Sequence, residues 1–209
     1  IKMLYYFTAS DKDAQRHLND TIHNPFPIKQ CLHLLDNNIV DKLKEYDKHE
    51  FVHMWGAVPG SSNEQRWLKL KPGDKVLVYS KGNFLYYGTI FFKTHNRQVA
   101  EIIWGTDKKD RTWEYIYFIK NLEKVSFNVK DFNEFFGYSS NFTPQGFSNI
   151  EDKRFKLRLQ QYESIDEMIH TLDNSFFVGD DNEEEESFHS SLQTKDLSKA
   201  TVIETLEPK

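Results

Sequence analysis

The chain has very little cysteine: Cys31 is the only one among 209 residues. A lone thiol excludes a disulfide framework and a metal site built from cysteines. Apolar runs are short as well, and none approaches the roughly 18 residues that a membrane-spanning helix needs. The first residues do not show the basic and then apolar pattern of a secretory signal peptide. These absences predict a soluble, cytoplasmic protein.

Catalytic motifs are also lacking. The eight histidines are scattered along the chain, so we expect no zinc or paired-metal site. No GxxxxGK[ST] loop is present, and GlyTyrSerSerAsn at 137–141 does not match the GxSxG nucleophile motif. Asp107 and Asp110 flank a lysine pair in a predicted β-turn, and turn chemistry accounts for them better than acid–base catalysis does. The sequence therefore predicts a binding module with no catalytic residue and no cofactor.

Acidic residues are unevenly distributed. Residues 1–158 hold 24 Lys and Arg against 19 Asp and Glu, a net charge of +5, whereas residues 159–209 hold 3 against 13, a net charge of -10. The net charge of -5 for the whole chain thus combines a mildly basic domain with an acidic segment. We expect one folded domain over 1–178 and an acidic disordered linker or tail over 179–209, because AspAspAsnGluGluGluGluSer cannot bury enough apolar surface to fold.

Hydrophobic periodicity predicts a helical start, then many short strands, then closing helices. The predicted strands cover 3–8, 51–55, 67–70, 75–79, 84–92, 99–104, 113–119 and 125–129. The predicted helices cover 10–22, 28–35, 38–46, 131–136 and 153–169. This order indicates the α+β class, with a strongly curved mixed sheet or small barrel of about six strands and flanking helices.

Aromatic residues are abundant, at 15% of the chain. The rings beside loops and polar residues are candidates for binding, since an unstacked base packs between aromatic faces at about 1 to 3 kcal/mol per contact. For any one of these rings taken singly, a place in an ordinary sheet core is the favoured interpretation. Trp55 is the exception, because a Trp followed by Gly at a strand end offers both a ring and backbone to a ligand. The candidate rings are Trp55, Trp104, Trp113, Tyr115, Tyr117 and Tyr138.

Basic residues interleave with these aromatics, which is typical of single-strand or flipped-base binding. Ordinary solvated lysines on strand faces and turns would produce the same pattern. We expect contacts with a nucleic-acid backbone from Lys69, Lys81, Lys93, Arg97, Lys153 and Arg154.

Four segments resemble the YTH and EVE branch of the PUA-like superfamily. They are HisMetTrpGlyAlaValPro at 53–59, the strand–turn–strand stretch at 71–90, GluIleIleTrpGly at 101–105 and ThrTrpGluTyrIleTyrPhe at 112–118. TyrPheThrAlaSer at 6–10 and AspThrIleHisAsnPro at 20–25 are similar to the N-terminal DNA-binding modules of McrB-type modification-dependent restriction proteins. The resemblance covers about residues 3–158.

This resemblance implies a reader that flips a modified base, N6-methyladenine first among the candidates, into an aromatic cage. Trp55 would be the first wall, and the backbone of Gly56 would contact the exocyclic amine. The second wall would come from Trp113, Tyr115 or Tyr117, and the third from Tyr138 or Phe147. The expected partner is methylated DNA, and the module would deliver a linked nuclease or NTPase.

Three other functions stay open at this point. A PUA-like RNA reader would prefer a 2′-hydroxyl. A protein-interaction or structural module would use all its aromatics as core. An enzyme is the least supported alternative, because no acid, base, nucleophile or metal constellation is recognised.

Overall fold

The computed structural model describes residues 1–46 and 50–174. The predicted acidic tail, 179–209, lies outside the described residues. Seven strands are interspersed with helices along the described residues, and β4 and β5 follow each other as a hairpin. The strands are β1 (Leu4–Thr8), β2 (Phe26–Pro27), β3 (Phe51–Ala57), β4 (Lys75–Ser80), β5 (Asn83–His95), β6 (Tyr115–Asn128) and β7 (Phe147–Asn149). The helices are α1 (Lys12–Leu18), α2 (Asn37–Tyr46), α3 (Ser61–Lys69), α4 (Arg97–Trp104), α5 (Val129–Phe136), α6 (Asp152–Leu159) and α7 (165–174).

Two further helical segments of other geometry follow the early elements. A π-helical turn at Asn19–His23 continues directly from α1, and a 3-10 helix at Ile28–Leu34 precedes α2. In the part of the chain that the structure describes, no helix has the length and apolar character needed to cross a membrane.

The strands form one mixed sheet in the order β2-β3-β6-β5-β4-β1-β7. β1 pairs in parallel with β4, and the other neighbouring pairs are antiparallel. The register of β5 against β6 shifts at three places, between Phe84 and Tyr86, between Tyr87 and Thr89, and between Ile90 and Phe92. Such bulges bend a sheet and increase its twist. The sheet is therefore strongly curved.

The curvature brings distant strands together on the concave face. Phe7 of β1 stacks on Trp55 of β3 with ring centroids 4.3 Å apart, although three strands separate β1 from β3 in the sheet order. Tyr117 of β6 likewise stacks on Phe147 of β7 at 5.2 Å. The sheet curls like a barrel without closing, with β2 and β7 as its edges.

Helices cover both faces of this sheet. The concave face carries one apolar cluster, to which α1 contributes Ala14 and Leu18. The convex face carries two: α5, α6 and α7 cover one end, and the 3-10 helix, α2 and α4 cover the other. The predicted α+β class with a curved mixed sheet is confirmed.

Two predicted strands are wrong. Residues 67–70 belong to the end of α3, and residues 99–104 form most of α4. In α4, Val99, Ala100, Ile103 and Trp104 are buried together, which is helical spacing, and the Asn96 side chain accepts a hydrogen bond from Val99 N as the N-cap. The strands predicted at 113–119 and 125–129 are parts of the single long strand β6.

Candidate functional site

Three of the four tryptophans meet around His17. The imidazole centroid lies 4.0 Å from the ring of Trp113, 5.9 Å from that of Trp104 and 6.2 Å from that of Trp55. The Trp113 and Trp55 rings meet the imidazole edge-on, with interplanar angles of 86° and 66°. We call Trp55, Trp104 and Trp113 the tryptophan box.

Each member of this group is placed by a different element. Trp55 lies near the end of β3, Trp104 is the last residue of α4, and Trp113 precedes β6. His17 lies on α1, which begins at the N-cap Asp11, whose carboxylate accepts a hydrogen bond from Ala14 N at 2.8 Å. Position 17 follows Ala14 by three residues, so the histidine falls on the buried face of the helix.

Gly56 allows the box to close. A Cβ at this position would lie 2.3 Å from the Trp113 carbonyl oxygen, 2.9 Å from the Trp113 Cβ and 3.0 Å from the ring of Trp104. Since real Cβ atoms do not approach backbone this closely, only glycine lets the segment around Trp113 cross β3 here. The backbone of Gly56 is thus enclosed by two of the three tryptophans.

The box is shielded from solvent except at Trp113. His17 is 1% exposed, Trp104 4% and Trp55 5%, whereas Trp113 is only partly buried. Burial lowers the pKa of His17 from 6.5 to about 4, and the neighbouring Arg16 acts in the same direction. The imidazole is therefore neutral at physiological pH.

Residues 105–112, the rim loop, connect Trp104 to Trp113. Asp107 accepts hydrogen bonds from Lys109 N at 2.8 Å and Arg111 N at 2.9 Å, and its pKa is lowered chiefly by the bond from the Arg111 backbone. Asp110 N donates to Asp107 O at 3.0 Å, the turn that the sequence predicts. Lys108 and Lys109 are exposed on this loop. An ordered, lysine-bearing turn thus joins two walls of the box.

An aromatic layer supports the box from the concave face. Trp55 and Tyr117 are register partners on β3 and β6, and Phe7 contacts both rings. Tyr117 is fully buried, which raises the pKa of its hydroxyl well above 10. Phe147 stacks on Tyr117 and on Tyr5, so the layer continues to the β7 edge. Trp55, Tyr117 and Phe147 therefore lie in one contiguous set of rings.

Two predicted cage residues lie elsewhere. Tyr115 stacks on His95 at 4.2 Å, with the Trp67 ring edge-on to it at 5.4 Å, in a partly exposed group beside α3. Tyr138 stacks on Phe142 at 4.1 Å, beneath the guanidinium of Arg154, and belongs to the cluster under α5 and α6. The structure does not bring Tyr138 to the tryptophan box.

The predicted backbone contacts divide into two groups. Lys69, Lys81 and Lys153 are exposed. The other three, Lys93, Arg97 and Arg154, already bind groups of the protein. Burial lowers the pKa of Lys93, whose ammonium lies 4.6 Å above the ring of Trp67. The engaged cations are Lys93, which donates to the carbonyls of Trp67 and Leu68, Arg97, which pairs with Glu101 and Glu114, and Arg154, which pairs with Glu151.

Two concavities adjoin these cations. A groove of about 180 Å³ separates α3 from the β1 and β7 edge, and a cavity of about 530 Å³ lies between α5 and α6. The groove contains Arg66 and Lys69 beside Tyr5 and Asn149, whereas Lys153 and Arg154 line the cavity. Asn149 of the groove and Glu151 of the cavity are two residues apart in the chain, so the two concavities flank the segment between β7 and α6.

Residues 49–53, HisGluPheValHis, spell the HExxH pattern of zinc metalloproteases, which the expectation of no metal site overlooked. That chemistry needs a helix, which places both histidines on one face. Here β3 begins at Phe51 and contains His53, whose Nδ1 lies 3.0 Å from the Thr21 carbonyl oxygen. His49 lies outside the described residues. Within 1–46 and 50–174, no group of three or more His, Cys, Asp or Glu side chains is arranged to hold a metal ion.

The sequence did not identify His17 as a site residue, and it identified Trp104 as a candidate ring but predicted the wrong secondary structure for it. One signal was available for His17, because its position falls on the apolar face marked by Ala14, Leu18 and Ile22. Trp104 was recognised as a ring beside a loop, but it was placed on a strand instead of at a helix end. Its contact with His17 joins α1 to α4, and no local spacing reveals such a contact.

Comparison with known proteins gives a match at the level of the fold. No protein-family model matches the chain, and no curated protein matches it by sequence. Among solved structures, the chain is similar to the N-terminal domain of Thermococcus gammatolerans McrB bound to m5C DNA. The TM-score is 0.57 at 16% sequence identity, and the match covers 74% of this chain and 94% of that one. The chain has the fold of this McrB domain, as the sequence resemblance predicted.

Proposed function

We propose that this chain is a non-catalytic DNA-binding module that recognises a methylated base in the tryptophan box. The observation that carries the proposal is the convergence of three tryptophans and a neutral histidine at the end of β3. The McrB N-terminal domain, which has the same fold, was solved bound to m5C DNA, and this supports the same class of ligand here.

The chemistry of the box suits a flipped base. Each aromatic face stacked on a base contributes about 1 to 3 kcal/mol. A methyl group adds about 0.8 kcal/mol when it is buried against apolar surface. Burial of the methyl group alone gives a preference of about fourfold, and the void that the unmodified base would leave in a pocket fitted to the methyl group brings the expected preference to about tenfold.

Entry of a base requires the box to open. Trp113 is the wall that reaches the surface, and the rim loop connects it to Trp104. We propose that the Trp113 side chain rotates outward while its backbone stays against Gly56 and Trp55 stays fixed against Phe7 and the aromatic layer. Flipping costs a few kcal/mol, and least where base pairing is already weak. Binding should therefore be tighter when the modified base lies opposite a mismatch.

Two bases are candidates. N6-methyladenine is implied by the resemblance to the YTH and EVE branch, whose members hold such bases in an aromatic cage. 5-Methylcytosine is favoured by one specific observation, the m5C DNA bound to the McrB domain. We place N6-methyladenine first and treat 5-methylcytosine as the second candidate.

The DNA backbone would follow the lysines around the box. Lys108 and Lys109 of the rim loop and Lys69 at the end of α3 are exposed. Lys81 and Lys153 are the more distant predicted contacts. A net charge of +5 over 1–158 makes this attraction moderate and dependent on salt. We further propose that the module delivers a linked nuclease or NTPase to modified sites.

The test is binding to matched duplexes that differ only at one base: adenine, N6-methyladenine, cytosine or 5-methylcytosine. Fluorescence anisotropy at two salt concentrations gives the affinity and shows how large the electrostatic contribution to binding is. A methyl-dependent gain on one probe supports the proposal and identifies the base. Equal binding to all four contradicts it. Tighter binding to the matching RNA would favour an RNA reader instead.

A further inference from the structure

Two buried polar atoms in the box have no partner. Within residues 1–46 and 50–174, neither His17 Nε2 nor Trp104 Nε1 makes a hydrogen bond. Leaving a buried donor or acceptor unsatisfied is costly, and buried polar side chains in proteins are nearly always paired. Two such atoms in one aromatic box indicate a ligand that supplies both missing partners.

The hydrogen-bonding character of each atom follows from its chemistry. The indole Nε1 of Trp104 is a donor only. The neutral imidazole of His17 carries its proton on one ring nitrogen and a lone pair on the other, so Nε2 can accept a hydrogen bond when the proton is on Nδ1. In that tautomer the Nε2 lone pair is available to a ligand, because Nε2 has no partner among the described residues. The box therefore offers one donor and one acceptor.

Hydrogen bonds before and after His17 hold its helix in place. The side-chain amide of Gln15 on the same helix donates to the Ala9 carbonyl and to the Ser80 hydroxyl. Thr21 in the following π-helical turn donates from Oγ1 to the His17 carbonyl at 3.2 Å. The helix is thus held on both sides of the histidine, which keeps Nε2 within the box.

We propose that His17 Nε2 accepts the N–H of the exocyclic amine of the bound base, while Trp104 Nε1 donates to the neighbouring ring nitrogen. Adenine and cytosine both place a ring-nitrogen acceptor beside an exocyclic amine. N6-methyladenine retains one N–H on that amine, and 5-methylcytosine retains two. The inference rests on the proposed function and adds the residue that sets its specificity.

The consequence is discrimination by the number of methyl groups. N6,N6-dimethyladenine has no N–H to give to Nε2, although it retains the ring nitrogen for Trp104. The wild-type chain should therefore bind N6-methyladenine about tenfold more tightly than the dimethylated base, as expected for the loss of one buried hydrogen bond. If 5-methylcytosine is the ligand, N4,N4-dimethylation of that base supplies the equivalent probe.

The test compares these two probes with the wild type, His17→Phe and Trp104→Phe. His17→Phe keeps a ring but removes the acceptor, so it should bind the monomethylated and dimethylated bases equally. Trp104→Phe removes the donor and part of a ring face that both probes would share, so it should weaken both probes by a similar factor and preserve the wild-type ratio. His17→Gln, which restores an acceptor, should recover part of the preference.

A second readout uses the wild-type protein alone. NMR of isotope-labelled histidine should show the resonance of His17 Nε2 shifting on addition of the monomethylated probe and not on addition of the dimethylated one. This result remains decisive if a His17 variant does not fold. Unchanged discrimination in a folded His17→Phe, or an Nε2 resonance that ignores the probe, overturns the inference. A wild type without any methyl dependence overturns the proposed function itself.

Discussion

Trp113 crosses Gly56 so closely that a Cβ on the glycine would lie 2.3 Å from the tryptophan carbonyl oxygen. Gly56 also pairs with Ile116 in the β3–β6 ladder, so it cannot move away without breaking the sheet. The end of β3 and the segment after the rim loop are thus fitted to each other through backbone. This contact holds Trp113 over the histidine.

Gly56→Ala should destabilise the fold. The added methyl group has to displace backbone, and overpacking of this kind costs about 1 to 3 kcal/mol. Urea denaturation followed by tryptophan fluorescence measures the change in the free energy of unfolding. Gln65→Ala, at an exposed position of α3, is the control and should change it by less than about 0.5 kcal/mol. Equal free energies of unfolding for Gly56→Ala and Gln65→Ala would contradict the prediction, because the backbone around Gly56 would then accommodate the methyl group without cost.

Stability should fall in mild acid because of His17. Its pKa is about 4 in the folded state and near 6.5 in the unfolded state, so between these values only the unfolded chain binds the proton. The free energy of unfolding should therefore drop as the pH falls from 6.5 to 4, by up to about 3 kcal/mol. Urea titrations of the wild type and His17→Phe across this range isolate the effect, because the carboxylates are common to both. If the free energy of unfolding of the wild type and of His17→Phe fell in parallel over this pH range, the prediction would be contradicted.

Lys93→Met should weaken α3. The ammonium donates to the carbonyl oxygens of Trp67 and Leu68 at 2.6 and 2.8 Å, which lie in the last turn of this helix. Loss of these charge-assisted bonds should cost about 1 to 3 kcal/mol in the free energy of unfolding. Lys120→Met, at another partly buried lysine of the sheet, is the matched control. A reduced DNA affinity of Lys93→Met would be a structural consequence and no proof of a phosphate contact.

Charge reversal should separate lysines near the box from those far away. Lys69→Glu and Lys108→Glu should each weaken DNA binding and reduce the slope of log affinity against log salt by about one. Lys124→Glu is the control: Lys124 is exposed and lies nine residues along β6 from Tyr115. Lys81→Glu and Lys153→Glu extend the series to the remaining predicted contacts. An equal loss in Lys124→Glu would indicate a general charge effect.

Much of the fold could be predicted because its strands alternate clearly and its turns carry Gly, Pro and Asp. The errors lie where periodicity is ambiguous. Residues 67–70 are too few to separate a strand from the last turn of a helix. Residues 99–104 are rich in Val and Ile, which favours a strand, yet tertiary packing against the convex face makes them helical. The three bulges between β5 and β6 left no local signal.

The site was only partly predictable for a related reason. The sequence places three site residues next to a glycine or a predicted turn, where a ligand could reach them. They are Trp55, Gly56 and Trp113. His17 and Trp104 join the site through contacts between α1 and α4, and their roles depend on how the sheet curls. Tyr138 was a candidate because it lies in an aromatic loop, but that loop packs on α5 and α6 and does not reach the tryptophan box.

The central claim is that Trp55 forms a wall of a methylated-base pocket, and one comparison tests it most directly. Anisotropy titrations with the methylated duplex and its unmodified match should be run for the wild type and Trp55→Ala, with folding confirmed by circular dichroism. We predict a methyl preference of about tenfold in the wild type and none in Trp55→Ala. A folded Trp55→Ala that keeps the wild-type preference would contradict the account.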